Sequence, residues 1–223
     1  MFSFLVNEDL GLTTAGYIVC IAAALICLIA AALIIGRKKE ADTAFGRTKK
    51  LTFCAMSLAL AFVLSFVKLF SLPYGGTVTL CSMLFVVLVG YWYGPRTGLL
   101  IAFVYGILQF IQEPYILSFF QVCCDYLFAF TMLGLSGFFR NQKRGLLKGY
   151  IVSVLARGFF HVLGGYLYWM EYMPENFPQA LSFAYPIIYN YSFLLAEAVI
   201  TIIIISIPAV MNAIDYVGKQ ANS

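Results

Sequence analysis

The stretch YIVCIAAALICLIAAALII, residues 17–35, runs for nineteen positions without a charge. In lipid, every backbone N–H and C=O must find its partner within the protein. A run like this therefore has one stable form, a membrane-crossing α-helix of about 20 residues. Six further apolar runs follow, at 51–67, 78–94, 97–112, 115–139, 149–170 and 184–210. The fourth, at 16 residues, is short for a span. Only 11% of the 223 residues are charged and 62% are hydrophobic, whereas a soluble domain carries about 25% charge. The expectation is an all-α membrane protein of seven spans, with no room for a separate soluble domain. The first run is followed by GRKKE and not by a small-residue cleavage site, so it reads as a retained helix. Lys68 can snorkel from the end of the second run.

Loop charge sets the expected orientation. Residues 37–50 hold six Lys or Arg, Arg96 adds one, 140–148 hold four and 211–223 hold one. The alternate loops, 1–16, 71–77, 113–114 and 171–183, hold none. Cytoplasmic loops carry the basic excess, so the N-terminus is expected outside and the C-terminus in the cytoplasm. Glu8, Asp9, Glu113, Glu171 and Glu175 then fall on the outer side, with Glu113–Pro114 as a tight turn near the surface. The net charge of +4 follows membrane topology and is no nucleic-acid footprint.

Charges inside the spans cost roughly 2.5–3.5 kcal/mol each at mid-bilayer, so each asks for a partner or a task. Asp125 and Arg157 are expected at nearly the same depth, about 15 Å and 12 Å from opposite surfaces at 1.5 Å per residue. They are read as a structural ion pair, with Glu197 a competitor for Arg157. His161, Gly165 and Trp169 recur at intervals of four and share one helical face. The glycine between the two rings is expected to leave a hollow. A belt anchor for Trp169 and a packed core role for His161 are the alternatives. Tyr115, Tyr185, Tyr189, Asn190 and Tyr191 reach the same outer level as Glu113. Aromatic faces, a carboxylate and directed hydrogen-bonding groups suit a flat organic cation. Ala55 and Ala59, four apart, allow close helix approach, either within the chain or toward a partner.

The six cysteines, 20, 27, 54, 81, 123 and 124, lie in apolar runs without metal spacing and read as buried thiols. No phosphate-binding loop, G-x-S-x-G, H-E-x-x-H or C-x-x-C occurs, and there is one histidine. The chain is expected to bind no metal or cofactor, to hydrolyse no nucleotide and not to be an enzyme.

The segments QEPYIL, RGFFHVLGGYLYW and YPIIYNYSF together resemble the thiamine-specific substrate-binding (S) components of energy-coupling factor (ECF) transporters, the ThiT family. The resemblance covers about 49–210. It implies a six-helix membrane fold over 49–212; the chain departs from it in an extra transmembrane helix and basic linker at 1–48, and ends in a cytoplasmic tail at 213–223. It also implies a thiamine pocket near the outer face, with Glu113, Tyr115, His161, Gly165, Trp169, Tyr185 and Asn190 at pocket positions. Ala55 and Ala59 match the motif that docks on a transmembrane coupling subunit, which works with two ATPases in the bacterial plasma membrane. ATP is then used only by those partners. Tyr74 stands where family members can carry a lid tryptophan, and Trp92 is expected as an anchor at the inner interface. An S component for another vitamin or organic amine, and a non-transport scaffold or sensor, are the rival readings.

Overall fold

The computed structural model describes residues 12–36 and 44–223. Residues 1–11 and the basic stretch 37–43, on which the expected orientation partly rests, lie outside the described residues. Helices α1 (Thr14–Gly36) and α2 (Ala44–Ser65) lead to a two-stranded antiparallel hairpin, β1 (Lys68–Ser71) and β2 (Thr77–Thr79). There follow α3 (Ser82–Tyr93), α4 (Pro95–Gln112), α5 (Phe119–Phe139) and α6 (Gly145–Tyr172). The last two are α7 (Tyr185–Ser206) and α8 (Pro208–Asn222). Apart from the hairpin, the architecture is all-helical.

Among the described residues, four helices are long and apolar enough to cross a membrane: α2 from Gly46, α5, α6, and α7 with the turn from Gln179 that precedes it. The expected span at 78–94 is shorter. Its first residues belong to β2, and α3 has 12 residues, about 18 Å of helix against a hydrocarbon core of about 30 Å. Nine of those 12 are buried, so α3 is the inner strut of the bundle, packed on α2, α4 and α5.

Close approach at the centre depends on glycine. A Cβ at Gly98 would stand 2.6 Å from the Cα of Gly90, and one at Gly134 would stand 2.4 Å from the Leu99 Cα. Small residues are how helices gain contact in lipid, where no hydrophobic force drives them together. Two hydroxyls cross between helices: Ser136 donates to the Val87 carbonyl at 2.8 Å, and Ser153 to that of Leu133 at 3.1 Å. Helix α1 lies along α4 and also touches α2.

Proline sets the last boundary. The expected span at 184–210 ends at Ser206, because Pro208 has no N–H to give and pushes Ile207 to extended geometry (φ −70°, ψ 121°). What reads as a tail in the sequence is the amphipathic helix α8. It buries Ile214, Gly218 and Ala221 against the ends of α2 and α3. Trp92 is buried beneath it, its indole nitrogen 2.7 Å from where a Gly218 side chain would begin. It is therefore a packed residue and not an interfacial anchor. Lys49 donates to Ser223 at 2.8 Å, and Tyr93 to the Ala221 carbonyl at 3.1 Å.

Several of the described basic residues lie at this end. Lys50 lies over the Tyr93 ring, and Arg140 lies beside Gly94. The hairpin, the Glu113–Pro114 turn and the 173–184 segment form the opposite end. There, Tyr126 donates to the Glu113 carbonyl at 2.6 Å, and Tyr166 donates to the Phe183 carbonyl.

Candidate ligand cavity

A cavity of about 360 Å³ opens at the end opposite the basic cluster. Its walls come from the hairpin tip, the C-terminal end of α4, the first half of α5, the second half of α6 and the start of α7. All seven pocket positions named from the sequence line it: Glu113, Tyr115, His161, Gly165, Trp169, Tyr185 and Asn190.

Two helices widen to π-turns at this level, α5 over Cys123–Phe128 and α6 over Gly165–Trp169. Such turns re-aim side chains and recur at functional sites. Here they set Asp125 opposite Trp169 and His161. The Asp125 carboxylate accepts from Gln121 Nε2 at 2.7 Å and Trp169 Nε1 at 3.1 Å, and lies 3.4 Å from His161 Nδ1. Arg157 Nε donates to His161 Nε2 at 3.3 Å. A nitrogen that accepts carries no proton, so the imidazole is neutral with its hydrogen on Nδ1, aimed at Asp125. The expected direct Asp125–Arg157 pair is not formed. One helical turn puts His161 on the same face as Arg157, and its ring stands between the two charges. The guanidinium lies instead over Phe130, 4.0 Å from the ring centroid. Both charged residues line the cavity.

One wall is a run of rings. Tyr115 lies on Trp169 at 4.9 Å between centroids with planes 33° apart, and Tyr172 flanks the same indole at 5.2 Å. Tyr185 and Tyr189, 5.8 Å apart between centroids, also line the cavity, and Phe177 packs edge-on to Tyr185. Gly165 leaves no hollow of its own. A Cβ there would come within 2.8 Å of the Pro186 Cβ and 3.3 Å of the Asn190 amide, so the glycine lets α7 close on α6. Asn190 is buried and donates to the Pro186 carbonyl at 2.8 Å and the His161 carbonyl at 3.3 Å.

Glu113 sits at the mouth and is paired with Lys68 of β1. Lys68 therefore reaches a carboxylate across the rim and does not snorkel along a helix. Tyr74 has its backbone in the Pro73–Gly75 turn of the hairpin; its side chain lies outside the described residues, and Gly75, Gly76 and Thr77 are the tip residues that line the cavity. Sequence reasoning missed these three, along with Gln109, Gln121 and Tyr172. The polarity of Gln121 inside an apolar run was the signal that could have found it. Away from the cavity, Ala55 and Ala59 lie on an exposed strip of α2 together with Met56, Leu60 and Val63. Helix α1 leaves that strip open. Among the described residues no group of His, Cys, Asp or Glu could hold a metal ion.

A helical membrane bundle with a ring-lined, polar-floored cavity at one end has the build of a membrane solute-binding protein. Residues 51–215 match the family described as thiamine transporter protein (Thia_YuaJ), and the chain belongs to this family. It is 27% identical over 172 residues to the thiamine transporter ThiT of Bacillus subtilis (strain 168), covering 68% of this chain and 85% of the relative. It is 28% identical over 138 residues to the thiamine transporter ThiT of Lacticaseibacillus paracasei, covering 54% of this chain and 67% of the relative. The solved structure of ThiT from Listeria monocytogenes superposes with a TM-score of 0.61 at 26% identity, covering 72% of this chain and 93% of that one. Helix α1 lies outside the residues that match the family.

Proposed function

We propose that the chain is the thiamine-binding S component of an ECF-type uptake transporter, and that the cavity is its thiamine site. The observation that carries this is the meeting of two carboxylates, Glu113 and Asp125, with the Tyr115–Trp169–Tyr172 rings in one cavity of a thiamine transporter family member. A volume of about 360 Å³ falls at the lower end of small-molecule pockets, about 300–1,000 Å³, which suits a single vitamin.

Thiamine has a flat aminopyrimidine and a cationic thiazolium. The rings supply faces that attract positive charge, by about 2 kcal/mol when desolvated. Glu113 offsets the cation or accepts from the amino group, so binding exchanges the Lys68 ammonium for the ligand's charge. Asp125, neutral His161, Tyr115, Tyr185 and Asn190 close the remaining polar contacts, and Gly165 keeps the α6–α7 wall tight. The hairpin covers the ligand, with Tyr74 its aromatic candidate.

Seven spans are proposed, α1 through α7, with α4 and the short α3 completed by their flanking segments. The protein is placed in the bacterial plasma membrane with the cavity facing outward, the N-terminus outside and the C-terminus in the cytoplasm. The units proposed are the extra helix and linker at 1–48 and the binding core from 49. The core is taken to 212 and the tail from 213, and α8 runs across that boundary. The chain is not an enzyme and needs no cofactor. Energy comes from a coupling membrane subunit, docked on the Ala55–Ala59 strip, and two ATPases.

Calorimetry of the purified protein with thiamine, its phosphates and riboflavin tests the reading. Saturable binding of thiamine is expected. Tighter binding of riboflavin than of thiamine, or no heat with thiamine, would overturn it. Arg157 on the cavity wall favours a second reading, in which phosphate esters of thiamine are ligands as well; the same titrations decide it.

A further inference from the structure

Glu197 lies outside the cavity, in mid-span of α7, and is 3% exposed. A carboxylate so placed needs several donors, and it has them. Its oxygens accept from the Thr79 N–H at 2.9 Å, the Thr79 hydroxyl at 2.7 Å, the Met83 N–H at 3.3 Å and the Ser82 hydroxyl at 3.5 Å. Thr79 ends β2, and Ser82 and Met83 open α3. Of the two residues between, Cys81 is the helix cap and offers no side-chain bond to it. Its backbone is left-handed (φ 57°), a conformation residues with side chains rarely adopt. Glu197 thus supplies from α7 the cap that α3 lacks, and it holds both sides of an unfavourable turn. That turn is the root of the hairpin.

The tip of the hairpin rests on the same helix. Tyr189 accepts from the Gly76 N–H at 3.1 Å and donates to the Pro73 carbonyl. Gly76 is seated so closely that a Cβ would meet Phe193 Cδ1 at 2.8 Å and the Tyr189 hydroxyl at 3.0 Å. Tyr189, Phe193 and Glu197 recur at intervals of four along one face of α7, spanning about 12 Å. The ring of Tyr185 and the amide of Asn190 leave the N-terminal end of this helix for the cavity.

We propose that Glu197 is a positioning residue for the ligand site, acting through the hairpin that forms one cavity wall, with Tyr189 holding the hairpin tip. The helix that presents Tyr185 and Asn190 to the ligand thereby also fixes the cover over it. The residence time of the ligand is set in part by a buried carboxylate that never touches it. The identity of the ligand rests on the thiamine reading; the grip on the hairpin does not.

The test uses the full chain with Glu197→Gln and Tyr189→Phe. Each removes hydrogen-bonding capacity while keeping shape, where Glu197→Ala would risk the fold. A Ser71→Cys substitution on the exposed outer strand reports hairpin mobility by maleimide labelling, with labelling of the native cysteines subtracted. Both variants are expected to label faster than the parent without ligand, and to release thiamine about tenfold faster in stopped-flow fluorescence, the effect of one lost hydrogen bond. Unchanged labelling in both variants would overturn the proposal. Faster release with parent-like labelling would also overturn it, since the effect would then bypass the hairpin. Should the parent bind no thiamine, the ligand reading fails, and ligand-free labelling alone decides the hairpin claim.

Discussion

Glu113 and Trp169 both line the cavity and are the two residues on which the proposed ligand chemistry rests most. Glu113 is the carboxylate at the mouth, already matched to Lys68. Glu113→Gln is expected to leave expression intact and to weaken thiamine binding by about 10- to 100-fold, the value of one charge-assisted contact; calorimetry reads it, and unchanged affinity would take Glu113 out of the site. Trp169 is fixed on both sides, by ring contacts to Tyr115 and Tyr172 and by its indole hydrogen bond to Asp125. Trp169→Ala is expected to cost about 100-fold or more, as central aromatic anchors do. It should also remove the fluorescence change, because Trp92, the other tryptophan, is buried beneath α8. Retained affinity would make Trp169 a membrane anchor only. That both residues meet at one level is legible from their spacing and loop charge. The role of Asp125 is not: its nearest sequence neighbours are apolar, and two of its three partners, Trp169 and His161, come from α6.

Between elements, the distances are set by small residues. Gly165 admits Pro186 of α7, so Gly165→Ala must push α6 and α7 apart. Overpacking of this kind costs about 1–3 kcal/mol, and thermal unfolding in detergent should show the loss together with weaker thiamine binding. Ala55 and Ala59 pose the opposite case, since nothing described in this chain covers them. Ala55→Trp is expected to spare binding in detergent and to block uptake by cells; normal uptake would place docking elsewhere. The π-turns in α5 and α6 were invisible in the sequence. A widened turn shifts the register by a fraction of a turn, and in a chain apolar on nearly every face no polar stripe is displaced to reveal it.

For the whole molecule, the cavity is walled by α4 to α7 and the hairpin, and α1 lies along α4 outside the matched family region. Deletion of residues 1–43 is therefore expected to leave thiamine affinity unchanged, measured by calorimetry on the truncated protein. A large loss would mean that α1 holds α4, and with it Glu113, in place.

The sequence by itself determined the solvent, the helical class and the common level of the site residues, because uncharged runs and basic loops act locally and need no partner to be read. It also brought the seven pocket positions onto one short list through motif and spacing. Tertiary structure alone decided which charges meet. Asp125 turns to Trp169 and Gln121, Arg157 reaches it only through His161, and Glu197 caps a helix more than a hundred residues earlier. Buried polar groups take whichever donors the packing brings within about 3 Å, and in this chain that packing is fixed by glycine contacts between helices far apart in sequence.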